Sequence, residues 1–137
     1  MWHQKEIILR AKTRGIHLVT NEILRELPAL PDVGLLNLFI KHTSAALSIN
    51  ENADPDVRTD MEYILQRLVP DIDSNYIHTA EGPDDASSHT KTSLIGTSLT
   101  IPITRGRLNL GTWQGIYLLE FREYRSPRHI VATISGD

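Results

Sequence analysis

Residues 42–60 read HTSAALSINENADPDVRTD and hold a dense group of polar side chains. The stretch begins with an imidazole and two hydroxyls, and it carries amides and carboxylates near its centre. It ends in a helix start at Asp54-Pro55, where a capping carboxylate precedes a proline at the first helical position. Polar side chains cluster in this way either in a solvated loop or in a functional site.

The stretch lies between two segments that alternate with a period of two. Alternation of apolar and polar residues is typical of a half-buried strand. The apolar positions are Leu36, Leu38 and Ile40 before the stretch, and Ala45, Leu47 and Ile49 within it. The same parity points His42 inward at the end of the first strand. A lone inward histidine is more often a hydrogen-bonded core residue than a ligand, so this pattern alone leaves the role of His42 open.

The remaining elements predict an α+β fold in a single domain, residues 1–137. A helix is expected from Asp54 to Pro70, a second from Asp84 to Gly96, and a short one over 21–27 with Thr20 as its cap. Further strands are expected at 2–10, 16–19, 99–103, 114–124 and 129–134, with Pro102 marking an edge or a bulge. About seven strands and three helices result, with a mixed or largely antiparallel sheet and the helices on one face.

Bulk composition excludes several classes of protein. The formal net charge of −3 argues against a nucleic-acid-binding protein, which usually carries a basic surplus. The chain has no cysteine, so disulfides and thiolate chemistry are excluded. No apolar run approaches the roughly 18 residues of a membrane span, and the first residues lack the apolar core of a secretory signal. We therefore expect no membrane partner and a cytoplasmic location.

A second polar cluster, HTAEGPDDASSH, covers residues 78–89. Asp85 and His89 are four residues apart near a helix start, so their side chains share one face. This spacing suits two metal ligands or a carboxylate that orients an imidazole. His78 precedes them in a loop and could converge on the same place. The helix start, with Ser87 and Ser88, also offers backbone N–H groups to an anion.

Together, the two clusters predict a mixed nitrogen and oxygen site for a divalent metal. Its predicted ligands are His42, His78, His89, Glu51 and Asp54, with Asp85 as a further candidate. Imidazoles with carboxylates suit Zn²⁺ or another first-row metal, and a larger share of carboxylates suits Mg²⁺. The alternative is that Asp54 and Asp84 are only helix caps, whereas Glu51 has no such explanation.

A third stretch, GRLNLGTWQGIYLLEFRE, covers residues 106–123. Its glycines indicate positions where the backbone takes positive φ or passes close to another group. Trp113 could anchor the core or wall a pocket for a flat ligand, with Gln114 reading a polar edge. Arg125 and Arg128 could bind phosphate through two nitrogens, although such arginines are more often surface residues.

Three motifs, HTSAALSINENADPDVRTDME, EGPDDASSHTKTSLIGTSLTIPI and GRLNLGTWQGIYLLE, closely resemble the YjbQ-like family over almost the whole chain. The resemblance implies a compact α+β fold and a homotrimer with sites near subunit boundaries. It also implies a secondary, weak thiamine-phosphate synthase activity on a small phosphorylated metabolite. The family's polar signature falls on His42, Thr43, Ser44, Asn50, Glu51, Asp54, His78, Glu81, Asp84, Asp85, His89, Gly111, Trp113 and Gln114.

We assign expected roles to these residues and to two others outside the signature. The catalytic candidates are His42, Glu51, Asp85 and His89. The substrate-binding candidates are Ser44, Asn50, Ser88, Trp113, Gln114 and Arg128. In the synthase reaction, a thiazole nitrogen attacks the pyrimidine methylene as diphosphate leaves. Catalysis would come from placing the two substrates and neutralising the diphosphate with Mg²⁺.

Two other functions fit the same residues. The first is a metal-dependent hydrolase of a small phosphorylated or acylated metabolite, in which the histidines bind the metal and Glu51 or Asp85 activates water. The second is a non-catalytic protein that binds a small anion or metabolite at the hydroxyl-rich helix start of Ser87 and Ser88.

Overall fold

Two antiparallel sheets and three helices make up the computed structural model, which describes all 137 residues. The first sheet contains β1 (Trp2–Leu9), β3 (Val33–Ile40), β5 (Ser98–Thr104), β6 (Arg107–Leu108) and β8 (Arg128–Gly136), in the order β1-β8-β3-β5-β6. The second contains β2 (Gly15–Leu18), β4 (Ala45–Glu51) and β7 (Gln114–Glu120), in the order β2-β7-β4. The helices are α1 (Thr20–Leu24), α2 (Pro55–Leu68) and α3 (Asp85–Ile95).

The main core lies between the two sheets. Leu36, Leu38 and Ile40 of β3 are fully buried there, and Ala45 and Leu47 of β4 face them from the second sheet. Alternate residues of β1, β5, β7 and β8 complete the same apolar layer. Burial of a large aliphatic side chain contributes roughly 1.5–3 kcal/mol. The alternation predicted for both strands is therefore confirmed.

A second apolar layer covers the outer face of the smaller sheet. Ile16, Leu119 and Phe121 are buried on that face, and they pack with Leu65 of α2 and Ile95 of α3. Both long helices thus lie on one side of the sheets, as the α+β prediction requires. None of the helices is long enough and apolar enough to cross a membrane.

The apolar side chains of α2 are only partly covered. Leu65 is buried, but Ile64 and Leu68 on the same helix are 52% and 69% exposed. A single copy of the chain therefore leaves part of this apolar face in contact with solvent.

The two long helices start differently from one another. Asp54 accepts a hydrogen bond from the Asp56 N–H at 2.9 Å, so its predicted capping role at α2 is confirmed. Asp84 precedes α3, but its carboxylate makes no capping bond. It binds Arg122 Nε at 3.1 Å and the Glu123 N–H at 2.7 Å instead. The prediction that Asp84 caps α3 is wrong because Arg122 competes for the carboxylate.

Several elements also differ from the prediction in their bounds. α1 ends at Leu24, and the Thr20 hydroxyl accepts the Ile116 N–H at 2.9 Å instead of capping the helix. β7 ends at Glu120, and a two-residue strand, β6, lies within the predicted turn after Gly106. β5 is next to this short strand, so Pro102 lies near the sheet edge, as expected.

Glu22 of α1 binds two residues of the segment that follows β1. Its carboxylate binds Lys12 Nζ at 2.7 Å and accepts the Arg10 N–H at 3.0 Å. Burial raises the pKa of Glu22, but these two hydrogen bonds outweigh burial and hold the pKa below the usual glutamate value.

We expect Glu22→Gln to lower the free energy of unfolding by about 1–2 kcal/mol at pH 7. Because the folded pKa is lowered, the carboxylate stabilises the protein above its unfolded pKa, and this contribution is lost as the pH falls below about 4. Urea unfolding of both proteins at pH 7 and pH 3.5 measures the difference, which should shrink at the lower pH. Glu26→Gln is the matched control, since Glu26 is about half exposed in its pair with Lys5. An equal effect of both substitutions would contradict the assignment.

Candidate metal centre and adjoining cavity

Two imidazoles and one carboxylate converge at the start of α3. His78 Nε2 lies 2.6 Å from Asp85 Oδ2, and His89 Nε2 lies 3.0 Å from the same oxygen. The three potential ligand atoms lie within 4.8 Å of one another. Asp85 is buried, whereas His89 is half-buried and His78 is exposed, so the group opens towards solvent.

The hydrogen bonds of His89 define what its second nitrogen can do. Nδ1 lies 2.8 Å from the Thr43 carbonyl oxygen and therefore carries a proton that it donates. Nε2 then faces Asp85 Oδ2, which as a carboxylate oxygen only accepts. A proton or a metal cation must lie between these two atoms. A histidine fixed through Nδ1 by a backbone carbonyl is the usual arrangement of a metal-ligating imidazole, so the donor set fits a divalent metal.

Arg122 holds the other oxygen of the Asp85 carboxylate. Its Nη1 donates to Asp85 Oδ1, its Nε donates to Asp84 Oδ2, and its Nη2 donates to the Glu81 carbonyl at 2.9 Å. Burial raises the pKa of Asp85, but the bond from His78 and the charges of His89 and Arg122 hold it below the usual aspartate value. Asp85 is therefore a charged carboxylate with one oxygen directed at the two imidazoles.

His42 lies on the other side of His89 and is bound differently. Its Nε2 accepts the backbone N–H of His129 at 2.8 Å. Burial, together with the nearby positive charges of Arg128 and His129, lowers the pKa of His42 below the usual histidine value. His42 is thus a neutral imidazole with its proton on Nδ1 and its lone pair already used.

A cavity of about 610 Å³ separates His42 from the C-terminal half of α3. It is lined by His42, Thr43, His89, Thr92, Ser93, Gly96 and Thr97, without a single hydrophobic side chain. Two of the residues that were predicted to converge, His42 and His89, both line this one cavity. His42 does not belong to the metal-ligand group of this chain, because its Nε2 lone pair accepts the His129 N–H and its Nδ1 carries the proton.

The other predicted ligands and substrate contacts lie at the opposite end of β4. Glu51 Oε2 accepts the N–H groups of Ala53 and Asp54, so it shapes the turn into α2. Glu51 pairs with Gln114, whereas Ala45, next to the histidine end, pairs with Glu120. The six residue steps of β4 correspond to about 20 Å. Within one chain, the prediction that Glu51 and Asp54 join the histidines is therefore wrong.

Trp113, Gln114 and Asn50 share that distant end. Trp113 is 64% exposed, so the core-anchor interpretation is wrong. Gln114 Oε1 accepts the Gly111 N–H at 2.8 Å. Asn50 Oδ1 accepts the Glu51 N–H at 2.8 Å. These side chains face solvent, not the cavity beside His42.

Two predicted substrate contacts, Arg128 and Ser88, are engaged inside the protein. Arg128 is buried and binds Glu120 through two nitrogens, while its Nη2 also donates to the Ser44 carbonyl at 3.3 Å. Ser88 is fully buried, and its hydroxyl donates to the Asp85 carbonyl at 2.6 Å. The Ser87 hydroxyl donates to Asp71 Oδ1 at 2.6 Å. Both hydroxyls at this helix start are therefore bound within the chain.

Comparison with known proteins identifies the family. The family model described as "UPF0047 protein YjbQ-like" matches residues 5–137. The chain belongs to this family. It is 52% identical to the UPF0047 protein YjbQ of Escherichia coli O157:H7 over the full length of both chains. It is 39% identical to a UPF0047 protein of Synechocystis over 98% of this chain and 92% of that one.

Solved structures of YjbQ-like proteins share the fold. A YjbQ/UPF0047 family protein from Clostridium acetobutylicum is 34% identical, with a TM-score of 0.81 over 96% of this chain and 99% of that chain. A YbjQ-like protein of unknown function from Sulfolobus solfataricus P2 gives a TM-score of 0.85 at 23% identity, covering 100% and 99% of the two chains. The second similarity shows the fold alone.

Two functional features of this YjbQ-like chain were missed in the sequence. Arg122 follows a buried strand, and an arginine in a polar turn has no periodic signal that would indicate its aspartate partners. The Thr43 carbonyl orients His89 through a main-chain atom that any residue at this position would supply. Among the contacts of this site, only the pairing of Asp85 with His89 was indicated by the sequence alone, through their i,i+4 spacing.

We expect Arg122→Met to lower the free energy of unfolding by about 3 kcal/mol, because it leaves two buried carboxylates without their guanidinium group. Urea unfolding at pH 7 measures this loss. Arg125→Met is the matched control, since Arg125 is exposed in the same turn and should change stability by less than about 0.5 kcal/mol. A stability within 1 kcal/mol of the parent for Arg122→Met would contradict the role given to this residue.

Proposed function

We propose that the chain is a divalent-metal-dependent hydrolase of a small phosphorylated or acylated metabolite. The observation that carries this proposal is the convergence of His78 Nε2, His89 Nε2 and Asp85 Oδ2, together with the polar cavity that His89 also lines. Two imidazoles and a carboxylate are a frequent ligand set of catalytic zinc sites. The three ligands leave coordination positions free for a substrate.

Each residue of the centre has a distinct task in this proposal. His78, His89 and Asp85 would hold the cation, which when bound supplies Lewis-acid polarisation of a phosphoryl or carbonyl oxygen. The Thr43 carbonyl keeps the proton of His89 on Nδ1 and fixes the ring orientation. Arg122 holds Asp85 so that Oδ2 stays directed at the imidazoles. The cavity beside His89 would receive the organic part of the substrate.

A second candidate is the secondary thiamine-phosphate synthase activity that the family resemblance implies. Membership of the YjbQ-like family supports it. In this reaction Mg²⁺ would neutralise the diphosphate, and carboxylates are its usual ligands. Since Glu51 and Asp54 lie about 20 Å along β4 from the histidines of the same chain, this reaction needs a neighbouring copy to bring the two ends together.

We further propose that the chain forms a homotrimer. The exposed apolar side chains Ile64 and Leu68 on α2 support an interface on this helix, because a stable subunit contact would remove them from water. The cytoplasmic location stays a prediction.

The hydrolase proposal predicts a metal site that depends on three named side chains. We expect His78→Ala, His89→Ala and Asp85→Asn each to weaken Zn²⁺ binding at least about tenfold, or 1.4 kcal/mol, in calorimetric titrations of chelator-treated protein. His3→Ala is the control, since His3 is exposed and lies outside the centre. Equal affinity of the parent and all three variants would refute the metal centre.

Turnover separates the two candidate reactions. The synthase candidate predicts that both Glu51→Ala and His89→Ala reduce the coupling of the two thiamine precursors with Mg²⁺ at least about tenfold. The hydrolase candidate predicts that only His89→Ala reduces the hydrolysis of a phosphate ester with Zn²⁺, because Glu51 lies far from the centre. Precursor coupling unchanged in both variants would exclude the synthase role of these residues.

A further inference from the structure

The cavity beside His89 has a lining that specifies a type of ligand. Its seven residues include no lysine, arginine, aspartate or glutamate, and no hydrophobic side chain. Besides the two imidazoles, the polar side chains are the hydroxyls of Thr43, Thr92, Ser93 and Thr97. The Thr92 hydroxyl already donates to the Ser88 carbonyl at 2.9 Å. The hydroxyls of Thr43, Ser93 and Thr97 have no hydrogen-bond partner in the chain and are available to a ligand.

His42 contributes a fixed donor to this lining. Its Nε2 accepts the His129 N–H, so the ring proton lies on Nδ1. Nδ1 has no hydrogen-bond partner in the protein, and the ring lines the cavity. A neutral imidazole in this tautomer donates one hydrogen bond and offers no lone pair to a metal or a proton. His42 therefore matches an acceptor oxygen on a ligand.

The electrostatics of the cavity disfavour an anion. The lining residues Thr92, Ser93 and Gly96 belong to the C-terminal end of α3, where the helix dipole places partial negative charge. The cationic side chains that act on His42 all have acidic partners: Arg128 is paired with Glu120, and Lys41 and His129 both pair with Glu6. A phosphate in the cavity would therefore lack a cationic partner, whereas hydroxyl and carbonyl groups would find donors and acceptors.

We infer that this cavity binds an uncharged, hydroxyl-bearing part of the substrate, and that phosphate is excluded from it. The inference rests on the proposed hydrolase and refines its substrate class to phosphate esters of polyhydroxylated alcohols, such as pentose phosphates. In this arrangement the phosphate lies at the metal centre and the polyol lies against His42, with His89 as the wall between them. His42 is then a substrate-binding donor, separate from the metal ligands.

A binding experiment tests the cavity without metal or turnover. Amide signals of ¹⁵N-labelled, chelator-treated protein are followed during titration with D-ribose and, separately, with inorganic phosphate. We expect ribose to shift the signals of Thr43, Ser93 and Thr97, and phosphate to leave them unchanged. Phosphate shifting these signals in place of ribose, or neither ligand shifting them, would overturn the inference.

Two variants make the test specific to His42. His42→Phe keeps a ring but removes the donor, so it should weaken ribose binding about fivefold to tenfold. Thr90→Val is the control, because Thr90 is exposed on α3 outside the cavity and donates to the Ala86 carbonyl. Unchanged ribose affinity in His42→Phe would overturn the role of His42. The ¹⁵N shifts of the His42 ring should show a protonated Nδ1, and a protonated Nε2 would refute the assigned tautomer.

Turnover then links the cavity to the proposed reaction. With Zn²⁺, His42→Phe should lower the ratio of kcat/KM for ribose 5-phosphate to kcat/KM for p-nitrophenyl phosphate about tenfold. Equal losses on both esters would overturn the assignment of the cavity to the polyol. Absence of hydrolysis of either ester by the parent would refute the hydrolase, while the metal-free ribose titration still decides the cavity on its own.

Discussion

The buried carboxylate of Asp85 is the interaction on which the site depends. A single negative charge in a protein interior is costly unless several donors surround it. Here one oxygen is bound by Arg122 and the other faces His78 and His89. These bonds hold the pKa of Asp85 below the usual aspartate value. The two imidazoles consequently face a charged carboxylate, which is the arrangement on which the proposed metal centre rests.

The position of this carboxylate follows from the way in which the chain passes between the sheets. β3 ends at Ile40 in the larger sheet, and β4 begins at Ala45 in the smaller one. The four intervening residues carry the His42 ring and the Thr43 carbonyl. α3 packs against β4, so His89 meets the Thr43 carbonyl and also lines the cavity. The same backbone crossing therefore creates the cavity and orients a candidate ligand.

Hydrophobic periodicity and helix-capping signals predicted much of the fold. These signals failed where a polar side chain could bind either its sequence neighbours or a distant residue. Alternation placed Leu36 and Leu47 in the core, and the Asp54-Pro55 pair gave the start of α2, because periodicity and capping depend on neighbours in sequence. Asp84 resembles a cap equally well, yet its carboxylate binds Arg122, which lies 38 positions further along the chain. No local rule indicates such a long-range competition.

Helix geometry made one part of the site predictable, and strand geometry shows why the other part was predicted wrongly. Asp85 and His89 share a helix face, so their spacing brought them together correctly. His42 lies just before the predicted strand 45–51 and Glu51 lies at its far end, and an extended chain keeps its ends apart. The predicted metal site grouped these residues because they are polar, without considering the length of the strand between them. Strand length can be estimated from the sequence. It separates residues that one chain can bring together from those that require a second copy.

The order of strands in the larger sheet has a consequence for biosynthesis. β8, formed by residues 128–136, lies between β1 and β3. The N-terminal strand has no sheet neighbour until these late residues have left the ribosome, and one side of β3 stays open for the same period. A nascent chain of this topology therefore exposes unpaired strand edges throughout its synthesis, so that closure of the sheet is a late event which competes with aggregation.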